Sequence, residues 1–183
     1  MIAQTLAVSF AMAAAIGAAG RAMSLASADL KPNARIPDAH VFNGFGCTGK
    51  NLSPELSWSG APDGAKSFAV VCHDPDAPGP GGFWHWLIFD IPANVARLPL
   101  GAGDPKSGAA PKGATQSRND FGAAGYGGPC PPRGDKPHRY RFTVFALDVD
   151  RLGADANASP AEVASRLDSH ALAKATLTGL WGR

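Results

Sequence analysis

The sequence predicts a single loop-rich, mostly β domain, and three observations carry that prediction. Glycine and proline are abundant, with 22 Gly and 16 Pro among 183 residues. That is roughly one residue in five, against a usual ~12%. Both residues break helices, and no Gly-X-Y period accompanies them, so long helices, coiled coils and collagen are excluded. Hydrophobic residues make up 45% and charged residues 17%. There is ample apolar matter for a core, which argues against disorder. The clearest periodic signals in the chain are strands. The net charge of +2 is too small for a nucleic-acid binder or a polybasic membrane patch.

Taken in chain order, residues 5–19 form an apolar run. It is short for a membrane span, which needs about 20 residues, and has the length of a secretory signal core. Small residues follow at Gly17, Ala18, Ala19 and Gly20, although no Lys or Arg precedes the run. Cleavage is expected near Ala19 to Ala22, which makes residues 1–22 a signal peptide and 23–183 one folded domain. The protein is then periplasmic or secreted. If Met23 is instead the true start, it is cytoplasmic.

Residues 66–72 (Lys-Ser-Phe-Ala-Val-Val-Cys) read as a buried strand. Residues 84–91 (Trp-His-Trp-Leu-Ile-Phe-Asp-Ile) read as another, stopped by Pro92, which has no N–H for the ladder. By simple alternation His85 shares a face with Leu87 and Phe89. Residues 98–128 are rich in Gly, Ala, Asp and Pro and read as loop; one so long in a compact domain is functional or folded back on the body. Residues 138–148 are the clearest strand, with Tyr140, Phe142, Val144 and Ala146 on one face and Arg139, Arg141 and Thr143 on the other. One helix is expected near 159–178. Ser159 caps it, Pro160 suits its first turn, Glu162 completes a capping box, and Val163, Leu167 and Ala171 recur at four-residue spacing.

Three cysteines are too few for a disulfide framework. Cys72 reads as a small buried hydrophobe. Cys47 and Cys130 lie in Gly-rich loops and are able to pair if the protein is exported; the sequence leaves this open. No C-x-x-C or zinc spacing is present, so no metal or other cofactor is expected.

The chemistry concentrates in three segments. In Asp74-Pro75-Asp76-Ala77-Pro78 each proline stiffens the chain, which holds two carboxylates at a strand end. His85 stands between Trp84 and Trp86, whose rings offer flat pocket walls. The run Gly125-Tyr126-Gly127-Gly128-Pro129-Cys130-Pro131-Pro132 precedes His138-Arg139-Tyr140. Its glycines allow close approach, and successive amides are able to cradle an anion. His138 and Tyr140 share one strand face and together can donate two hydrogen bonds to a phosphate or sulfate. A nearby carboxylate orients a histidine or meets an ammonium group.

In combination these segments resemble the phosphatidylethanolamine-binding protein family, in its bacterial Raf-kinase-inhibitor-like branch. The resemblance also rests on the stretch Asn51 to Trp58, on Thr115 to Gly122, and on the ending Leu180-Trp181-Gly182-Arg183. It runs from about Met23 to Arg183. It implies a β-sandwich with a large central sheet and few peripheral helices, and a pocket for a small anion or phosphorylated headgroup. The implied ligand-binding residues are Asp74, His85, His138 and Tyr140, with Asp76, Gly128, Pro129, Pro131 and Pro132 shaping the rim. His73 stands where relatives often carry Tyr. The short Gly79 to Gly82 loop and the missing extra helix depart from the eukaryotic members.

The expected function is that of a non-enzymatic binding protein for a small anionic or phosphorylated ligand. The alternative is a regulator that inhibits a partner protease or kinase through the pocket rim. A hydrolase is less favoured, because no nucleophile elbow or metal set is visible. No nucleic-acid partner is expected, and bacterial relatives suggest a homodimer.

Overall fold

The structure, a computed structural model, describes residues 22–183. The expected signal segment therefore lies almost wholly outside the described residues. The elements in chain order are β1 (Ser24–Ala26), a 3-10 turn (Asp38–His40), β2 (Asn43–Gly44), β3 (Cys47–Thr48), β4 (Leu56–Ser59), β5 (Ser67–Asp74), β6 (Phe83–Pro92), β7 (Arg97–Leu98), β8 (Thr115–Gln116), β9 (His138–Leu147), α1 (Pro160–His170) and β10 (Ala171–Trp181). A five-stranded antiparallel sheet has the order β10-β9-β5-β6-β8. A three-stranded sheet, β1-β4-β7, faces it, and β2 and β3 form a separate hairpin.

The central strands are buried on both faces, which is why β5 and β6 read as continuous apolar runs. One face packs Phe68, Val70, Trp86, Ile88, Phe142 and Val144 against Leu56, Trp58 and Leu98 of the smaller sheet. The other packs Ala69, Val71, Leu87, Phe89, Phe145 and Leu147 against Val163 and Leu167 of α1. In β9 the alternation holds as predicted: Tyr140, Phe142, Val144 and Ala146 are fully buried, while Arg139 and Arg141 are exposed.

The expected helix over 159–178 is only half right. Ser159 does cap it, accepting the Glu162 amide at 3.2 Å, but α1 ends at His170. Residues 171–181 form β10, an edge strand paired with β9 along its length. Ala173, Ala175, Leu177, Gly179 and Trp181 turn one face inward, and Lys174, Thr176 and Thr178 turn outward. The alanines suit a helix locally, but alternation with a ready partner edge wins. Gly179 is required at that edge because a Cβ would stand 2.5 Å from Ile36.

The 98–128 segment is mostly loop and folds back on the body: the Gly101 amide donates to Ser53 O at 2.9 Å and the Ser117 amide to Leu87 O at 3.2 Å. Cys47 and Cys130 are joined in a disulfide, and Cys72 is a buried free thiol.

Candidate functional site

The C-terminal end of β5, the N-terminal ends of β6 and β9, and the loops beside them enclose a cleft of about 1010 Å³. Asp74, His85, His138, Tyr140, Pro131 and Pro132 line it. Asp74 is 2% exposed. Its Oδ1 accepts the Asp76 amide at 2.9 Å, closing the turn that Pro75 stiffens, and its Oδ2 accepts His138 Nδ1–H at 2.7 Å. Asp135 Oδ2 lies 3.4 Å from the other nitrogen of His138. Tyr140, beside His138 on the same face of β9, is fully buried, and its hydroxyl has no hydrogen-bond partner among the described residues. Burial, then the charge of Asp74, pushes the phenol well above its ordinary pKa, so it stays a donor.

His85 reaches this cluster through a bulge. Cys72 pairs with Trp86 and His73 with Trp84, so His85 has no partner on β5. The bulge overturns simple alternation. His85 leaves the face of Leu87 and Phe89, and its ring meets Tyr140 edge-on at 5.1 Å. Its Nδ1 donates to Gly127 O at 2.6 Å. Burial lowers its pKa to about 4, against the opposing pull of the Gly127 carbonyl and Asp74, so the ring is neutral at neutral pH. Its Nε2 then keeps a lone pair.

Three expected rim residues do not line the cleft; they brace it. Asp76 accepts the Arg139 amide at 2.9 Å and its guanidinium Nε at 2.8 Å, which ties the Asp-Pro-Asp turn to the start of β9. That hydrogen-bonded ion pair lowers the Asp76 pKa to about 2. Gly128 and Pro129 run behind the wall: a Cβ on Gly128 would stand 2.1 Å from His40 O, and Pro129 O accepts the Phe42 amide at 3.1 Å. The Gly-rich loop is not an open anion cradle either. The Gly127 amide donates to His85 O at 2.9 Å and the Gly128 amide to Asn51 Oδ1 at 2.7 Å. Its glycines serve close packing instead, since a Cβ on Gly127 would lie 2.4 Å from the Phe121 ring.

The flat walls are not the tryptophans. Trp86 is buried in the core and donates to Gln116 Oε1 at 2.7 Å, while the Trp84 ring lies tilted against His73 at 4.3 Å, away from the cleft. His73 also bonds Gly81 O at 2.7 Å, so it pins the short Gly-rich turn rather than entering the site. Phenylalanines take their place. Phe42 stacks between Phe121 at 4.6 Å and Phe45 at 5.6 Å, and Phe121 meets Phe83 edge-on at 4.8 Å. Phe45, at the turn of the β2–β3 hairpin, is 75% exposed.

Sequence reasoning also missed two asparagines. Asn119 donates to Gly125 O at 2.9 Å and accepts the Phe121 amide at 2.9 Å, and Asn51 donates to Tyr126 O at 3.1 Å. Both sit inside motifs the sequence singled out, Thr115 to Gly122 and Asn51 to Trp58. Nothing local marks either asparagine, because both motifs carry several other polar residues.

The chain matches the family described as phosphatidylethanolamine-binding protein over residues 26–182. It is 48% identical over 160 residues to UPF0098 protein YbcL of Escherichia coli strain K12, covering 87% of each chain. It is 47% identical to UPF0098 protein YbhB of the same organism, covering 87% of this chain and 99% of that one. The crystal structure of E. coli YbcL, described as a new member of the mammalian PEBP family, superposes with a TM-score of 0.87 at 47% identity, over 89% of this chain and 99% of that one. A homologue from Chlamydia trachomatis, CT736, superposes with a TM-score of 0.73 at 32% identity, over 88% and 98%.

Proposed function

Because the chain belongs to the phosphatidylethanolamine-binding protein family, we propose that it is a non-enzymatic binding protein whose cleft takes a small anion or phosphorylated headgroup. One observation carries this reading. The buried floor joins Asp74, His138, His85 and Tyr140, and the Tyr140 hydroxyl there has no partner among the described residues. A buried hydroxyl left unpaired costs about 1–3 kcal/mol, which a ligand acceptor recovers. A carboxylate beside it suits the ammonium of a headgroup such as phosphoethanolamine. Against hydrolysis, neither His85 nor His138 hydrogen-bonds a Ser, Thr or Cys side chain among the described residues.

Histidine NMR spectra during titration with phosphoethanolamine test the reading. Shifts of His85 and His138 at millimolar ligand support it, and unmoved signals sink it.

A second reading, docking of a partner protease or kinase on the rim, is favoured by Phe45, a large apolar side chain exposed beside the cleft mouth. Capture of a partner by the wild-type protein, lost on Phe45→Ser, is its signature. The Cys47–Cys130 disulfide suits an oxidising compartment and supports a periplasmic or secreted location.

A further inference from the structure

A second, smaller hollow of about 220 Å³ adjoins the β2–β3 hairpin and shares no lining residue with the cleft. Its walls gather three arginines from distant parts of the chain. Arg35 comes from the segment before the 3-10 turn, Arg133 from the loop before β9, and Arg183 from the residues after β10. Asp38 is the one acid in the lining, and Trp181, 7% exposed, forms part of the wall.

The positive charge there is only partly compensated. Arg35 meets Asp38 at 2.8 Å. Arg183 gives two donors to carbonyls, Nε to Pro131 O at 2.7 Å and Nη1 to Phe45 O at 3.1 Å, and a carbonyl cancels no charge. A Cβ on Gly46 would stand 3.3 Å from Nη1, so the guanidinium lies close against the hairpin. Neither Arg183 nor Arg133 has a carboxylate within ion-pairing distance among the described residues. Asp135, two residues from Arg133, faces His138 instead. A bracing role accounts for Arg183, whose two bonds tie the hairpin to the loop. It does not account for two more guanidiniums around the same hollow, where like charges repel.

We propose that this hollow is a second oxyanion site, which takes one small, multiply charged oxyanion of the phosphate or sulfate type. Guanidinium forks match the oxygens of such ions. Three guanidiniums against one carboxylate leave a lining charge of +2, which a dianion cancels. The volume is below the ~300–1,000 Å³ of pockets for drug-sized ligands, so it suits a lone ion rather than an extended molecule. Arg183 also holds Phe45 and Pro131, which line the cleft, so an ion that fixes Arg183 braces the cleft rim from outside it. The site stands or falls independently of what the cleft itself binds.

NMR of the full chain during titration with sodium sulfate, against sodium chloride at matched ionic strength, makes the test. The Trp181 indole N–H, assigned by its loss in Trp181→Phe, and the Arg183 Nε–H report on the hollow; His85 and His138 report on the cleft. Saturable shifts of Trp181 and Arg183 at millimolar sulfate, which chloride does not reproduce, are expected. Arg133 is exposed, so Arg133→Gln should fold, and it should weaken the Kd read at Trp181 about three- to tenfold, the loss of one charge-assisted contact. The histidine response should be the same in both proteins. Shifts that chloride matches reflect screening alone and overturn the proposal. An unchanged Kd in both Arg133→Gln and Arg35→Gln overturns it as well. So does movement of His85 and His138 while Trp181 and Arg183 stay still, because the ion then sits in the cleft only.

Discussion

Replacing Cys47 and Cys130 together by serine removes the covalent tie between the β2–β3 hairpin and the loop that follows Gly128. The two cysteines are 83 residues apart, with Cα atoms separated by 6.0 Å. In the chain-entropy account, freeing a loop of that length returns about 4.5 kcal/mol of conformational freedom to the unfolded chain. For a domain of this size each kcal/mol moves Tm by about 2–4 °C, so a fall of roughly 9–18 °C is expected. The folded state should otherwise survive. Arg183 Nε donates to Pro131 O at 2.7 Å and its guanidinium to Phe45 O at 3.1 Å, which keeps the hairpin and the loop together. Differential scanning calorimetry of the double variant, with amide exchange of residues 43–48 as a local readout, makes the measurement. A fall in Tm of less than about 3 °C would refute the loop-closure reasoning.

Four further outcomes are expected. The His85 imidazole, lowered to about 4 in the fold against about 6.5 unfolded, takes its proton more readily in the unfolded chain. Stability is then full above pH 6.5 and falls as pH drops toward 4, by roughly 3 kcal/mol at most, and urea unfolding of His85→Gln should lack that part of the slope. Asp76 behaves similarly at lower pH: with its carboxyl held at about 2, its contribution is present above pH 4 and lost as pH falls through 2. Because Arg139 is half exposed, Arg139→Ala should cost little stability, measured by the same unfolding at pH 7. Gly128→Ala should be severe, since the added Cβ meets the backbone of His40 and Phe42 rather than a movable side chain; soluble protein with wild-type Tm would contradict the packing described.

Much of this architecture is legible from residue pattern because the central strands are buried on both faces. Residues 67–74 and 83–92 announce themselves as apolar runs, and 138–147 by its exposed arginines. The His138–Tyr140 pair follows from the same period of two. The rest depends on contacts between distant parts of the chain. Ala171 to Thr178 looks helical until β9 supplies an edge for it. The bulge at His85 is invisible locally, since it shows only in the offset of one strand against another. The phenylalanine wall joins Phe42 and Phe121 from opposite parts of the chain, so no sequence window contains it. The amides of the Gly-rich loop looked available only because Asn51 and the His85 carbonyl, which occupy them, lie far away in sequence. The disulfide was left open for the same reason, being a matter of where two loops meet.

A crystal structure of the protein grown with phosphoethanolamine tests the central claim most directly. The account predicts phosphate density on the cleft floor, within hydrogen-bonding reach of Tyr140 Oη and His85 Nε2 and beside Asp74. A ligand bound elsewhere on the molecule, with the Tyr140 hydroxyl still unpaired, would contradict it.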